Sequence, residues 1–142
     1  MSAVRLGAAG LSVGAAGLLL ARRYLMLVTV SGVSMLPALR PGDRVLVRRA
    51  SAGLRPGQLV VARRPRFGRG WSDPIPAPER PEWLVKRVHS AEGNTGPVVL
   101  RGDNAEHSWD SRQWGPCPRA LVLGVVVRTF RAGPADVAAG RA

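Results

Sequence analysis

The pattern of hydrophobic and polar positions divides the chain into an apolar leader and a series of short alternating segments. Residues 6–21 are uncharged and, except for one serine, consist only of apolar residues and glycine. A helix of that length spans roughly 24 Å, which is somewhat less than the ~30 Å hydrocarbon core of a bilayer. Arg22 and Arg23 follow, and arginine side chains at a helix end can extend to the lipid interface. We therefore predict an N-terminal membrane anchor at residues 1–23, with a transmembrane helix at about residues 4–23.

Two other interpretations of the leader are a cleaved signal peptide and a buried helix. A signal peptide needs a cleavage site of small residues directly after its apolar run. Here the run ends at Ala21 and is followed by two arginines, so the anchor is favoured.

Beyond the leader, the pattern predicts a mainly β domain at residues 24–131. Runs of branched apolar residues at 28–30, 44–48, 59–62, 83–89, 98–101 and 121–130 predict strands. Two turns of the form Arg-Pro-Gly, at 40–43 and 55–58, each precede such a run and predict an antiparallel meander. Residues 63–81 are rich in Pro, Gly and Arg and predict a surface loop, and residues 132–142 predict a disordered tail.

Composition restricts the possible partners and cofactors. The 142 residues fit one domain plus an attachment segment, and the net charge of +12 comes almost entirely from arginine. Such a charge reflects an arginine-rich composition or an attraction to anionic lipid headgroups. No basic motif interleaved with aromatic residues is present, so nucleic acid is not expected as a partner. Cys117 is the only cysteine, and His89 and His107 lie in unrelated contexts, so we expect no disulfide, metal or cofactor.

A candidate nucleophile lies where the leader gives way to the domain. Ser34 has Gly32 two positions before it and Pro37 three positions after it. A serine on such a bend can present its hydroxyl and its backbone N–H to one target, as acyl transfer requires. A solvated turn has the same composition, so this motif alone does not establish a site.

A candidate base lies in the strand predicted at 83–89. Lys86 is the only lysine of the chain, and Val85 and Val88 flank it. A lysine with the ordinary pKa of ~10.4 is protonated at neutral pH and cannot accept a proton. Burial lowers the pKa of lysine, whereas arginine does not deprotonate in proteins. The retention of one lysine among so many arginines therefore points to a role for its neutral amine.

Three motifs together resemble the conserved boxes of type I signal peptidases, which are membrane-bound Ser–Lys serine proteases. Residues 31–37 resemble the S-M-x-P box of that family, and residues 86–88 its K-R-V box. Residues 102–112 match its G-D-N-x-x-x-S-x-D-S-R box at seven defined positions. The resemblance covers roughly residues 28–127.

The resemblance implies a coiled antiparallel β-sheet domain and assigns roles to individual residues. Ser34 would be the nucleophile, Lys86 the general base, and Ser108 the group that orients the lysine amine. An ion pair between Asp110 and Arg112 would brace the loop. The other residues implied are Asp103 and Asn104, which support the site, and Gly32 and Met35, which contact substrate. The backbone N–H of Ser34 would be one oxyanion donor, and a second donor is left open.

The chain also departs from the larger members of this family. Only fifteen residues separate Lys86 from Gly102, so the accessory domain of those members is missing and the chain resembles the minimal forms. This departure leaves the range of substrates open.

The function implied is that of a membrane-anchored endopeptidase that cleaves preproteins or leader peptides after small residues. Membrane lipid would be its second partner. Three alternatives remain: a maturation protease dedicated to one precursor, a self-cleaving domain of the LexA type, and an inactive membrane adaptor. The family implies a single-pass protein of the cell membrane with an extracytoplasmic catalytic domain. The charges do not favour this orientation, because Arg22 and Arg23 follow the apolar run and only Arg5 precedes it.

Overall fold

The computed structural model describes residues 17–18, 22–64 and 83–133, and these contain one six-stranded antiparallel sheet. Its strands, in chain order, are β1 (Leu25–Thr29), β2 (Arg44–Arg48), β3 (Leu59–Arg63), β4 (Trp83–Ala91), β5 (Val98–Arg101) and β6 (Val122–Phe130). One short α-helix (Ser111–Trp114) and two 3-10 turns (Ala105–His107 and Arg119–Leu121) lie between β5 and β6. The prediction of a mainly β, antiparallel domain is confirmed.

The two Arg-Pro-Gly turns form as predicted and share one construction. Gly42 and Gly57 have φ of +91° and +90°, which glycine adopts without steric cost at the third position of a type II turn. In each turn the side chain of the fourth residue accepts a hydrogen bond from the backbone N–H of the first. Asp43 accepts from Arg40 at 2.9 Å, and Gln58 accepts from Arg55 at 2.8 Å.

The predicted meander is wrong in one respect, because β2 and β3 are not neighbours. The strand order is β1-β2-β6-β3-β4-β5, so the last strand lies between them. Val47 pairs with Val126, and Val60 pairs with Val125. The close approach of β6 to β2 depends on Gly124, because a Cβ at this position would lie 2.9 Å from a methyl carbon of Val47. Turn chemistry indicates where strands begin but does not specify which distant strand joins them.

The core consists of two clusters, and β3 contributes to both. Val60 and Ala62 belong to the larger cluster, whereas Val61 belongs to the smaller one. Successive side chains of a strand point to opposite faces, so the two clusters lie on opposite faces of β3. Along β4 the same alternation places Lys86 on the face of Leu84 and Val88, which belong to the larger cluster.

The predicted anchor lies mostly outside the described residues. Residues 17–18 and 22–24 are helical, and β1 begins directly afterwards. Within the described ranges, no helix is long and apolar enough to cross a bilayer. The loop predicted at 63–81 and the tail at 132–142 also lie largely outside the described residues.

Candidate active site

The loop that carries Ser34, residues 31–43, is held in place by local turns and by two buried side chains. We call it the serine loop. Gly32 has a φ of +87°, and the Leu36–Pro37 peptide bond is cis. The backbone N–H of Leu36 donates to the Val33 carbonyl at 3.1 Å. Met35 and Leu39 are buried in the smaller cluster, and Ser34 between these turns is half-buried.

Lys86 lies in a buried environment that favours its neutral form. Its side chain is 4% exposed, and its ammonium donates a hydrogen bond to Ser108 Oγ at 2.8 Å. Burial lowers the pKa of Lys86 to about 8; the nearby Asp110 carboxylate opposes this shift, and the Arg64 and Arg112 guanidinium groups add to it. The sequence-based expectation of a lysine with a lowered pKa therefore has a structural basis.

Asp110 continues this hydrogen-bond chain on the other side of Ser108. The Ser108 hydroxyl donates to Asp110 Oδ2 at 2.9 Å, and the backbone N–H of Gly102 donates to the same oxygen at 2.9 Å. The guanidinium of Arg112 donates to both carboxylate oxygens, the shorter distance being 2.7 Å. Burial alone would raise the pKa of Asp110, but these hydrogen bonds outweigh it and lower the pKa well below the ordinary value. Asp110 is therefore a fixed anion that orients Ser108.

A capping box explains why the D-S-R segment folds in this way. Asp110 is the N-cap of the short helix, and its side chain accepts from the backbone N–H of Arg112 at 3.2 Å. In return, the Gln113 side chain accepts from the backbone N–H of Asp110 at 2.9 Å. Ser111, which the sequence analysis did not select, accepts from the backbone N–H of Leu100 at 2.8 Å and ties the helix to β5.

The serine loop contacts the third motif through backbone groups. The backbone N–H of Asn104 donates to the Ser34 carbonyl at 3.0 Å, and the Asn104 side chain donates to the Val33 carbonyl at 3.1 Å. A Cβ on Gly102 would lie 2.7 Å from the Ser34 carbonyl oxygen and 2.6 Å from Ser108 Cβ. The absence of a side chain at Gly102 therefore allows the backbone of Ser34 and the side chain of Ser108 to meet.

The structure thus joins Lys86 to Ser108 directly and joins Ser34 to the same loop through its carbonyl group. Among the described residues, Ser34 Oγ and Lys86 Nζ do not form a hydrogen bond with each other, so the Ser–Lys pairing stays a prediction. Within the same part of the chain, the backbone N–H of Ser34 has no acceptor, and its role as an oxyanion donor stays a prediction.

The two predicted substrate contacts differ in their exposure. A Cβ on Gly32 would meet no atom within 4 Å, so the space beside this residue is open. Met35 is 1% exposed and packs in the core. Its side chain is therefore inaccessible to a substrate, and the expected contact is restricted to the Met35 backbone.

Asp103 has a partner that the sequence analysis missed. Arg87, the residue after Lys86, donates to both oxygens of Asp103 at 2.8 and 2.6 Å, and also to the Gly57 carbonyl at 2.7 Å. The pair links β4 to the third motif beside the lysine. In the sequence, the only indication of this pair is that Arg87 directly follows Lys86 and Asp103 directly precedes Asn104.

The remaining candidate groups do not form a second reactive centre. His107 is exposed, with its ring nitrogen 3.4 Å from the Asn104 side chain. Cys117 is buried, and burial raises the pKa of its thiol to about 12, so it is inert as a nucleophile at neutral pH. Within the described ranges, no group of three His, Cys, Asp or Glu residues could hold a metal ion.

Comparisons with known proteins agree with the motifs. A family model described as Peptidase S24-like matches residues 12–67. Mitochondrial inner membrane protease subunit 1 of Mus musculus is 32% identical over 118 residues, and that of Homo sapiens is 31% identical over 118 residues. The subunit of Xenopus tropicalis is 30% identical over 119 residues. Each alignment covers 68% of this chain, which spans 64% of the length of each relative. Both comparisons support the type I signal peptidase-like family that the three motifs resemble.

Proposed function

We propose that this protein is a serine endopeptidase of the signal peptidase type, with Ser34 as nucleophile and Lys86 as general base. The observation that carries the proposal is the environment of Lys86, the only lysine of the chain. It is buried, its pKa is lowered to about 8, and Ser108 orients it. A structural lysine would gain nothing from such an environment, whereas a general base requires it.

The geometry of the hydrogen-bond chain suits proton transfer. Because the Ser108 hydroxyl donates to Asp110, its oxygen accepts an N–H from Lys86. In the neutral amine this arrangement leaves the nitrogen lone pair available for the Ser34 hydroxyl. At pH 7 about a tenth of the molecules carry the neutral amine when the pKa is about 8. Catalytic hydrogen bonds often tighten only when substrate is bound, so we expect Ser34 and Lys86 to close on each other in the complex.

The proposed reaction has two steps, which are formation of an ester to Ser34 and hydrolysis of that ester. Ser34 Oγ attacks the peptide carbonyl while its proton passes to Lys86, and the resulting oxyanion accepts a hydrogen bond from the backbone N–H of Ser34. Lys86 returns the proton to the leaving amine as the peptide bond breaks, and an ester to Ser34 remains. A water molecule then gives a proton to Lys86 and attacks the ester carbonyl. As the bond from the carbonyl carbon to Ser34 Oγ breaks, the acyl group leaves as a carboxylic acid and Lys86 returns the proton to Ser34 Oγ.

We further propose that the catalytic domain works at a lipid surface on the extracytoplasmic side, as a single-pass protein. The relatives named above are inner membrane proteases. In the structure, a groove along β1, β2 and β6 combines the apolar side chains of Leu27, Leu46 and Phe130 with the cation Arg44. Leu27 is 53% exposed, and residues 22–24 connect β1 to the apolar leader. An exposed apolar surface with cations at its border suits anionic headgroups.

Preproteins or leader peptides cleaved after small residues are the proposed substrates, and one observation favours a narrower range. Strands β4 and β5 pair as a hairpin joined by residues 92–97, so no domain is inserted between Lys86 and the third motif. Fewer surfaces are then available to hold varied substrates. A maturation protease dedicated to one precursor is therefore the second candidate function.

The test is digestion of a panel of preproteins with Ala-x-Ala sites, followed by N-terminal sequencing of the products. We expect cleavage after a small residue, and a loss of kcat of about 10³-fold or more in Ser34→Ala, because the nucleophile is removed. Ser90→Ala is the matched control, since Ser90 is an exposed serine on β4 outside the site. Its activity should equal that of the unaltered protein.

The outcomes separate the two candidates. Cleavage of many preproteins supports the general enzyme, and cleavage of one precursor supports the dedicated enzyme. Retention of full activity in Ser34→Ala or in Lys86→Ala would overturn the proposed mechanism.

A further inference from the structure

Besides its local turns and its two buried side chains, the serine loop has hydrogen bonds to the rest of the domain at two separate places. Only one of these places involves a residue of the third motif. At the serine itself, Asn104 binds the Ser34 carbonyl. At the far end of the loop, the backbone groups of Val30 and Asp43 continue the pairing of β1 with β2. The N–H of Val30 donates to the Asp43 carbonyl at 2.7 Å, and the N–H of Gly42 donates to the Val30 carbonyl at 2.9 Å.

The Asp43 side chain lies at this far end and is engaged by three donors. It is 1% exposed, so its negative charge requires compensation. The backbone N–H of Arg40 and the guanidinium of Arg131 both donate to Oδ2, at 2.9 and 2.8 Å. The backbone N–H of Ala132 donates to Oδ1 at 2.9 Å. Two of the three donors come from the residues directly after β6, which is distant in the sequence.

Arg131 also reaches the serine loop itself. The same guanidinium nitrogen that binds Asp43 donates to the Ala38 carbonyl at 3.0 Å. Ala132 lies against the turn, since a Cβ on Gly42 would be 3.1 Å from the Ala132 Cβ. The Arg131 side chain is 61% exposed and the Asp43 side chain 2%, so solvent screens the cation more than the anion. The two contacts of one guanidinium nitrogen also fix the position of the loop relative to the end of β6.

We infer that Asp43 and Arg131 form a clamp through which the end of β6 positions the serine loop, and with it Ser34. This inference rests on the proposed function of Ser34. Both are positioning residues, because neither belongs to the Lys86–Ser108–Asp110 chain. The clamp fixes the end of the loop that Asn104 does not hold. Without it, the loop keeps its buried anchors but loses its orientation, and a small displacement of a nucleophile can lower kcat by about 10²-fold.

The first test compares substitutions at the two Arg-Pro-Gly turns. Asp43→Asn replaces one carboxylate oxygen by an amide NH₂, which cannot accept a hydrogen bond. At least one of the three donors to Asp43 therefore loses its acceptor. We expect kcat to fall by about 10-fold to 100-fold, with a change in KM of less than about 3-fold. Gln58→Ala removes the equivalent bond from the turn that does not carry the serine, and it should leave kcat unchanged.

The second test shortens the chain at two points. Ending it after Phe130 removes Arg131 and Ala132, whereas ending it after Gly133 keeps both. We expect the first truncation and Arg131→Gln to lower kcat in the same way as Asp43→Asn, and the second truncation to retain the full rate. Arg131→Lys should recover most of the activity, because an ammonium can still donate to Asp43.

Amide hydrogen exchange supplies a measurement that needs no substrate and does not depend on the proposed function. The amides of Leu36 and Leu39 donate hydrogen bonds within the serine loop. In Arg131→Gln and in the truncation after Phe130 they should exchange about 10-fold faster or more, while the amides of β4 keep their protection. Unchanged exchange of the loop amides would overturn the clamp. A lowered melting temperature of these variants with an unchanged kcat would also overturn the clamp. If the unaltered protein cleaves no preprotein, the proposed function fails and the exchange data still decide the clamp.

Discussion

At the scale of single residues, the burial of Lys86 lowers the folding stability and favours the neutral amine that the proposed reaction needs. A fall in its pKa from 10.5 to about 8 means that burial of the ammonium costs ~3 kcal/mol of folding stability. The cost is fully present below pH 8, where both folded and unfolded chains carry the charge. It is relieved between pH 8 and pH 10.5, where only the unfolded chain holds the proton. Asp110 limits the cost, because its charge partly offsets the burial.

The same pKa predicts how the activity depends on pH. Only the neutral amine can accept the Ser34 proton, so kcat/KM should rise with pH and level off above an apparent pKa near 8. The measurement is a rate profile from pH 6 to pH 9.5 on a peptide substrate without titrating groups. Circular dichroism at each pH serves as the control for folding. A rate that is constant or falls across this range would contradict Lys86 as the base.

At the scale of elements, Gly102 is the point where three parts of the site meet. Its backbone N–H binds Asp110, and its open side lies against the Ser34 carbonyl and the Ser108 side chain. In the sequence, this glycine stands only as the first position of the third motif. The structure supplies a reason for it, because any side chain would push the serine loop away from the loop of the third motif.

Substitution of Gly102 by alanine tests this packing. We expect Gly102→Ala to lower kcat by about 10²-fold or more, since its Cβ would occupy the space of Ser108 and of the Ser34 carbonyl. Gly53→Ala is the control: Gly53 has a φ of +66° and open space around it, so that variant strains only the backbone. Equal activity of the two variants would show that the contact at Gly102 is unimportant.

At the scale of the whole molecule, one buried arginine joins segments that the strand order leaves apart. The Arg119 guanidinium donates to the carbonyls of Ser51, Gly93 and Gly96, at 2.8, 2.9 and 2.8 Å. These carbonyls lie between β2 and β3 and between β4 and β5. Arg119 therefore stabilises the end of the sheet away from the described site contacts.

Loss of this arginine should affect stability and leave the chemistry intact. We expect Arg119→Met to lower the free energy of unfolding by ~2–4 kcal/mol, because three partly buried carbonyls lose their donor. Urea denaturation measures this change. The kcat of the folded fraction should stay within about 2-fold of that of the unaltered protein. A large loss of kcat with unchanged stability would instead place Arg119 in the catalytic machinery.

Much of this protein follows from local sequence, since the causes are local. Alternating apolar residues and the two Arg-Pro-Gly turns predict the strands to within a few residues, because side-chain periodicity and glycine conformation act over a few positions. The one lysine in an apolar strand predicts its burial, and the family motifs name the other candidate residues.

Tertiary structure decided which distant groups meet. It placed β6 between β2 and β3, paired Arg87 with Asp103, buried Met35 in the core and brought Arg131 to Asp43. Each of these contacts joins segments far apart in the chain, and many strand orders satisfy the same local pattern. The choice among them depends on how the two apolar faces of the sheet are covered together, which is a property of the folded chain as a whole.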